Sequence, residues 1–107
     1  MSAYEIFFSP IAQQQLEQLR VHDHRQILAA IRTNLVHEPL VPTRNRKPLE
    51  PTPDALADLA RELFLDVDAV WELRVGRWRI AYVVAEQTVY VIWIFSKDRQ
   101  TTSQALS

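Results

Sequence analysis

The sequence contains no cysteine, which excludes disulfides, thiolate chemistry and zinc sites built from cysteine ligands. No apolar run reaches the roughly 18 residues that a membrane-spanning helix requires. The N-terminal stretch MSAYEIFFSP lacks the basic start of a signal peptide. Internal repeats and low-complexity tracts are also missing. These absences favour a cytoplasmic protein that does not associate with a membrane.

The length and composition predict a single domain spanning residues 1–107, with 48% apolar residues to fill one core. The three histidines, His22, His24 and His37, do not have the spacing of metal ligands. Their positions near predicted helix ends indicate helix capping or solvent exposure instead. We therefore expect neither a metal nor another cofactor.

Positive charge is concealed in the net charge of −1. Residues 54–68 carry one arginine and five acids, a net charge of −4, so the remainder of the chain carries +3. A basic surface that binds nucleic acid is therefore compatible with the composition.

The N-terminal half predicts a strand followed by a helix pair. "YEIFFS" is aromatic and β-branched, as strands are, and Ser9 and Pro10 have the types preferred at a helix N-cap and first helical position. Asp23, with Gln26 three residues later, resembles a capping box that begins a second helix. Pro39 would end that helix.

The C-terminal half predicts a third helix and three strands. The four prolines of "LVPTRNRKPLEPTP" favour an irregular, extended loop. An acidic, amphipathic helix follows over 54–69, and "WELRV" and "WRIAYVV" then alternate with the period of strands. "TVYVIWIF" is almost wholly apolar, as is typical of a central strand covered on both faces.

These elements predict an α+β domain of two layers. An N-terminal strand and an antiparallel helix pair would pack on an antiparallel sheet of about four strands, with 54–69 as an inserted helix. Three placements of the insertion remain open. It could pack at the edge of the domain, lie over a basic surface as an acidic lid, or make a dimer contact with its leucines.

Four segments together resemble the RelE/ParE superfamily of type II toxin–antitoxin toxins. They are "YEIFFSPIAQQQLEQL", "TRNRKPL" at 43–49, "WELRVGRWRIAYVV" at 71–84, and the last strand leading to "SKDR" at 96–99. The resemblance implies the small α+β toxin fold and a cognate antitoxin. It also implies one of two activities: cleavage of mRNA on the ribosome, or inhibition of DNA gyrase.

Candidate catalytic residues follow from the resemblance. Arg79 lies at the arginine of the family pattern "R-hydrophobic-x-Y", and Arg74 matches one of two basic strand positions. Glu72 stands at the other basic position, where it could act as general base or pair with Arg74. Asp98 or, after a shift of one residue, Arg99 aligns with a further family arginine, and no tyrosine follows. Arginine suits this chemistry because its planar charged fork matches phosphate oxygens.

Other basic residues are candidates for binding the nucleic-acid backbone: Arg44, Arg46, Lys47, Arg77 and Lys97. Such contacts supply affinity without reading sequence. Each could equally be an ordinary surface charge. The tryptophans Trp71, Trp78 and Trp93 could stack on bases, but their alternation with polar residues indicates core positions first.

The resemblance thus predicts the toxin of a type II module, acting as a metal-independent mRNA endoribonuclease on the ribosome. A gyrase inhibitor without catalysis and a degenerate, non-toxic member are the alternatives. The expected partners are an antitoxin, mRNA and the ribosome, or DNA gyrase for the alternative. A homodimer and a hetero-oligomer with the antitoxin both stay open.

Overall fold

Eight helices and strands follow one another in the computed structural model, which describes residues 3–50, 53–63, 67 and 69–96. In chain order they are β1 (Glu5–Phe8), α1 (Pro10–Glu17), α2 (Val21–Leu35), β2 (Arg46–Pro48), α3 (Pro53–Leu63), β3 (Trp71–Val75), β4 (Trp78–Ala85) and β5 (Thr88–Ser96). This is the predicted α+β class, with one additional short strand.

The strands form one five-stranded sheet in the order β1-β5-β4-β3-β2. β3, β4 and β5 make the predicted antiparallel meander, and β1 joins β5 in parallel with Phe8 opposite Val91. The prediction that the proline-rich loop is wholly irregular was wrong. Arg46–Pro48 pairs with β3 as an edge strand, a position that tolerates a proline because one side of the strand needs no partner.

The first helix begins as predicted. The Ser9 side chain accepts a hydrogen bond from the Ala12 amide and donates one to the Ile92 carbonyl, which ties the helix start to β5. Near the end of this helix, His24 Nδ1 lies 3.1 Å from the Leu16 carbonyl. That contact satisfies one of the last carbonyls of α1, in keeping with a capping role for this histidine.

The predicted capping box at Asp23 was wrong. α2 already begins at Val21, and Arg20 occupies the N-cap without a side-chain hydrogen bond. Asp23 lies instead in the first helical turn, where the helix dipole favours a negative charge. Its carboxylate pairs with Arg77 of the β3–β4 turn at 3.8 Å.

The sheet carries apolar side chains on both faces. On the first, which we call the helix-pair face, residues such as Leu73, Ile80 and Tyr82 pack against α1 and α2. On the second, which we call the α3 face, Val83 and Ile92 pack with Leu59 of α3. Burial of each such side chain contributes about 1.5–3 kcal/mol. The predicted coverage of "TVYVIWIF" on both sides is confirmed for most of the strand, and Trp93, at 44% exposed, is the exception.

The inserted helix, α3, packs on the second face of the sheet and adds a layer to the predicted two-layer domain. Its leucine side faces the sheet, with Leu59 buried and Leu56 and Leu63 partly buried. A third layer is thus present over part of the α3 face. Because Leu59 is used inside the domain, it is not available for the dimer contact that the sequence left open.

The single glycine, Gly76, makes the tight β3–β4 turn. Its φ is +59°, in the left-handed region that other residues disfavour. A Cβ at this position would meet nothing closer than the Gln26 side chain at 4.0 Å. The need for glycine is therefore conformational and not steric.

Gly76→Ala is expected to lower the free energy of unfolding by about 1 kcal/mol, because alanine is strained in the left-handed region. Gly76→Asn should cost less, since asparagine adopts this conformation more readily. Urea unfolding of the two variants and the wild type measures the difference. Equal losses for alanine and asparagine would contradict this explanation.

Candidate nucleic-acid interface

The α3 face divides into an apolar half under α3 and a polar half beside it. The polar half is built from two rows of residues in register across neighbouring strands. One row contains Lys47, Glu72, Ala81 and Trp93, and the next contains Arg74, Arg79 and Phe95. The alternation of β3 places its glutamate and arginine here because Trp71, Leu73 and Val75 occupy the opposite, helix-pair face.

Arg74 and Arg79 stand directly opposite each other on β3 and β4. Two like charges in such a cross-strand pair destabilise the sheet unless a counter-charge is near. Glu72 supplies one, since its Oε1 lies 4.0 Å from Nε of Arg79, and both side chains are largely buried. The sequence left open a pairing of Glu72 with Arg74, whereas the structure pairs Glu72 with Arg79.

Arg79 is held firmly by its surroundings. Its Nη1 donates hydrogen bonds to the carbonyls of Gly76 and Trp78, at 2.9 and 3.0 Å. Together with the Glu72 contact, these bonds fix the guanidinium at the end of the β3–β4 hairpin. The arginine that the sequence singled out is thus a preorganised, partly neutralised cation.

Three other cations are solvent-exposed. Lys47 and Arg74 belong to the two rows, and Arg44 lies near Lys47 in the chain. None of them has a side-chain hydrogen bond or ion pair within the described part of the chain. Arg44 lies in a tight turn in which the Thr43 amide bonds to the Arg46 carbonyl. The neighbouring Asn45 carbonyl accepts from the Arg74 amide at 2.8 Å, so this turn adjoins the end of β3.

Positive charge is therefore concentrated at one end of the α3 face. Glu72 is engaged by Arg79, which leaves Arg74 and Lys47 without an acidic partner among the described residues. An anion with several acceptor oxygens, placed between Arg74 and Arg79, would relieve their mutual repulsion. Phosphate has that geometry.

Two of the predicted backbone-binding residues lie elsewhere. Arg46 is buried, and its Nη1 donates to the carbonyls of Asn34 and, at 2.5 Å, Glu38 around the end of α2. Arg77 pairs with Asp23 of α2, and its guanidinium lies 5.1 Å from the Trp78 ring centroid. Both arginines thus connect the sheet to the helix pair, and the structure does not bring them to the two rows.

Tyr82 makes a second buried contact close to Arg46. The hydroxyl of Tyr82 donates to the Pro39 carbonyl at 2.6 Å. Burial raises the pKa of Tyr82, and the nearby Arg46 charge opposes that rise. Tyr82 consequently stays protonated and serves as a hydrogen-bond donor in the core.

The remaining candidates, Lys97 and Arg99, lie outside the described residues, as does Asp98. Their placement relative to the two rows stays a prediction. The described chain ends at Ser96, which pairs with Trp78 on β4.

Sequence reasoning missed the exposure of Trp93. Strict alternation along β5 would place Trp93 on the same side as Val89 and Val91, in the core. The register between β4 and β5 shifts at Ala81/Tyr82, where Ala81 pairs with Trp93 but Tyr82 pairs with Val91. This bulge brings Trp93 to the α3 face, where it is 44% exposed. No polar residue in "YVIWIF" signals the shift.

Beside Trp93, an open cleft of about 570 Å³ separates α3 from the sheet. Leu49, Leu59 and Val70 form its apolar wall together with Trp93, and the carboxylates of Glu50, Asp58 and Glu62 line its rim. The cleft thus pairs an aromatic surface with hydrogen-bond acceptors, next to the cations of the two rows.

Over the described ranges, no group of three or more His, Asp or Glu side chains could hold a metal ion. No helix in this part of the chain is both long and apolar enough to cross a bilayer.

Comparison with solved structures identifies the fold. The RelE–RelB complex of the archaeon Pyrococcus horikoshii OT3 contains a chain that superposes with a TM-score of 0.64 at 19% identity, covering 92% of this chain and 99% of that one. The toxin–antitoxin complex RelBE2 of Mycobacterium tuberculosis gives a TM-score of 0.60 at 22% identity, covering 89% and 99%. The RelE-type fold implied by the resemblance is confirmed.

Comparison at the sequence level adds the family. No curated protein sequence matches the chain significantly. The family described as phage derived protein Gp49-like (DUF891) matches residues 45–106, which is more than half of the chain and includes β2 to β5. The chain therefore belongs to the Gp49-like family, and its fold is that of the RelE superfamily.

Proposed function

We propose that this protein is the toxin of a type II toxin–antitoxin module and that it cleaves mRNA as a metal-independent endoribonuclease. One observation carries the proposal: the exposed Arg74 and the largely buried Arg79 face each other across β3 and β4, with Glu72 beside Arg79. The likeness in fold to chains of the RelE–RelB and RelBE2 complexes supports both the toxin role and an antitoxin partner.

The proposed reaction uses the RNA's own 2′-hydroxyl as nucleophile. Its oxygen attacks the adjacent phosphorus, a P–O2′ bond forms and the P–O5′ bond breaks. The products are a 2′,3′-cyclic phosphate and a 5′-hydroxyl, so no water, metal or oxidant is consumed. Negative charge accumulates on the phosphorane, and fixed cations lower the barrier because they need little reorganisation.

The two arginines would share this work. Arg79 is held by two carbonyls and Glu72, so its guanidinium is positioned before substrate arrives. Arg74 is exposed and without a side-chain partner in the described chain, so its charge is free to contact a phosphate oxygen. Lys47 and Arg44 would hold neighbouring phosphates, and Lys97 and Arg99 stay candidates for the same surface.

Glu72 has two compatible roles. It neutralises part of the charge of Arg79 and fixes its orientation at 4.0 Å. It is also the carboxylate that shares a row with Lys47 and lies next to both arginines, which makes it our candidate for the base that takes the proton of the 2′-hydroxyl. The leaving 5′-oxygen would receive a proton from solvent.

One observation favours the alternative of a DNA gyrase inhibitor without catalysis. Arg79 is engaged by protein groups on several sides, which suits a structural arginine as well as a catalytic one. In that case the exposed cations would contact a protein or DNA without chemistry. Supercoiling assays with purified gyrase distinguish this alternative from RNA cleavage.

The decisive experiment maps cleavage of an mRNA on programmed ribosomes by primer extension. We expect cuts whose downstream fragments begin with a 5′-hydroxyl, because the P–O5′ bond breaks and no water attacks the phosphorus. A single 2′-deoxy substitution at the mapped site should abolish the cut there, because the nucleophile is then missing.

The same 2′-deoxy transcript provides the internal control, since cuts at its other sites should continue. Downstream fragments that begin with a 5′-phosphate, or cleavage that persists at the deoxy site, would contradict the proposed chemistry. Intact RNA combined with inhibited supercoiling would instead support the gyrase alternative.

A further inference from the structure

The β5 bulge gives Trp93 a position that packing alone does not explain. Of the buried or partly buried aromatics on the sheet, Trp71 and Tyr82 stack on each other in the core, with ring centroids 6.3 Å apart. Trp93 is instead turned to the α3 face and left 44% exposed. Bulges commonly re-aim a side chain in this way next to functional sites.

Two side chains, one at the N-cap of α1 and one within α1, form hydrogen bonds with the β5 backbone on either side of Trp93. The Ser9 hydroxyl donates to the Ile92 carbonyl at 2.9 Å, and the Gln15 side-chain oxygen accepts from the Ile94 amide at 2.7 Å. The tryptophan backbone is therefore fixed while its ring stays accessible. A side chain on a fixed backbone loses less entropy on binding a flat ligand than one on a mobile loop.

Register places this indole close to the proposed phosphate site. Trp93 pairs with Ala81, and Ala81 pairs with Glu72, so the backbones of Trp93 and Glu72 are two strand spacings apart, about 10 Å. Arg79 lies two residues along β4 from Ala81, roughly 7 Å away. A nucleotide bound by its phosphate at the arginines would have its own or a neighbouring base within reach of Trp93.

The cleft beside Trp93 is lined by acidic residues, whereas the neighbouring rows contain Arg74 and Arg79. Asp58 of this cleft is paired with Arg61 at 3.3 Å. Glu50 and Glu62 at the rim of the cleft would repel phosphate but accept hydrogen bonds from the amino and imino groups of a base. Its apolar wall of Leu49, Leu59 and Val70 suits the flat face of a base. Cations for phosphate and an indole with acceptors for a base thus lie side by side.

We propose that Trp93 is a base-stacking residue and that the cleft between α3 and the sheet binds a nucleobase of single-stranded RNA next to the phosphate site. This inference rests on the proposed function, because it takes RNA as the ligand. It also gives α3 a role, because the helix forms one side of a base site.

The test uses a ligand that cannot be cleaved, so that binding is measured apart from catalysis. The probe is a fluorescein-labelled hexamer of 2′-O-methyl adenosine, titrated by fluorescence anisotropy at several salt concentrations. We expect Trp93→Ala to weaken binding by about tenfold, within the range for loss of one stacked base. Trp93→Phe should retain most of the affinity because phenylalanine also stacks.

The salt dependence separates stacking from a general loss of the site. Stacking neutralises no phosphate, so the slope of log K against log salt should be the same in Trp93→Ala and the wild type. Arg74→Ala should reduce the magnitude of that slope by the amount expected for the loss of one phosphate contact, in contrast to the tryptophan variant.

Phe7→Ala is the matched control. Phe7 is an aromatic of similar exposure, 53%, and its ring contacts Tyr90 on β5, far from the arginine rows. It should bind the probe like the wild type. Thermal unfolding of every variant shows whether the fold is retained.

Several outcomes would overturn the inference. They are wild-type protein that does not bind the probe, Trp93→Ala affinity within twofold of the wild type, an equal loss in Phe7→Ala, and a tryptophan effect that vanishes at high salt. Failure of the proposed function has a different signature. The probe would then bind through Trp93, while ordinary mRNA on ribosomes would stay uncut.

Discussion

Arg74→Ala is expected to lower the rate of mRNA cleavage by at least about 100-fold while leaving the stability of the fold almost unchanged. Arg74 is exposed on the α3 face and makes no side-chain hydrogen bond or ion pair with the described residues, so its removal costs the fold little. Its loss would remove the free cation that faces Arg79 across the strand pair. Cleavage is measured by primer extension on programmed ribosomes, and stability by urea unfolding.

The comparison with Arg79 explains why Arg74 is the better test. Removing Arg79 would leave the largely buried Glu72 without its counter-charge. It would also remove the hydrogen bonds that Arg79 donates to the carbonyls of Gly76 and Trp78. Such a variant loses stability for reasons unrelated to catalysis. A fall in activity of Arg79→Ala would therefore be ambiguous, whereas a fall in Arg74→Ala would not.

Two further variants complete the Arg74 experiment. Arg74→Lys should recover part of the activity, because it keeps the charge but loses the planar fork. Arg25→Ala removes an exposed arginine from α2, on the other side of the sheet, and should cleave like the wild type. Full mRNA cleavage by Arg74→Ala would show that Arg74 is not part of the catalytic group.

Tyr82→Ala is expected to lower the free energy of unfolding by about 3–5 kcal/mol, the range for deleting a large buried ring. Tyr82 is 0% exposed and stacks on Trp71, its direct partner across β3 and β4. Its hydroxyl also satisfies the buried Pro39 carbonyl. Since whole domains are stable by only about 5–15 kcal/mol, this change removes a large share of the stability.

Tyr82→Phe separates the hydrogen bond from the ring. It keeps the packing and leaves the Pro39 carbonyl without its donor, so we expect a loss of about 1–3 kcal/mol. Tyr90→Phe is the matched control, because Tyr90 is only partly buried, and it should change stability by less than about 0.5 kcal/mol. A Tyr82→Ala loss no larger than that of Tyr82→Phe would contradict the packing explanation.

High pH offers an independent check on the same residue. Burial raises the folded-state pKa of Tyr82 above the ordinary tyrosine value of about 10, so the unfolded chain loses this proton first. The contribution of Tyr82 to stability is therefore complete below about pH 10 and is lost as the pH rises further. Tyr82→Phe should lack that part of the alkaline decline, as urea unfolding from pH 9 to pH 11 would show.

Local patterns in the sequence were sufficient for most elements. Ser9 and Pro10 placed the start of α1 because a hydroxyl at the N-cap and a proline at the first position satisfy local requirements. The alternation in "WELRV" assigned Trp71 and Leu73 to the core, since strand geometry sends neighbouring side chains to opposite faces. Asp23 misled because a capping pattern inside the first turn of a helix looks the same as one at its start.

The candidate site depended on longer-range information. Arg79 was identifiable from a motif, but its pairing with Glu72 follows from the register of β3 and β4. Arg46 appears beside Arg44 and Lys47 in the sequence and yet clamps the end of α2 on the other face. A short strand sends alternate residues to opposite faces, and the exact register of β2 decided which of them joined the site.

The sequence by itself determined α1, α2 and α3, the strands β1, β3, β4 and β5, and the likeness to the RelE/ParE superfamily. Those properties depend on residue types at short spacings, which local conformational preferences and burial control. Only the tertiary structure decided that α3 covers half of the second sheet face, that Arg74 is free while Arg79 is held, and that a bulge exposes Trp93. Each of these depends on pairing between segments far apart in the chain, and a shift of one residue in register moves a side chain to the opposite face.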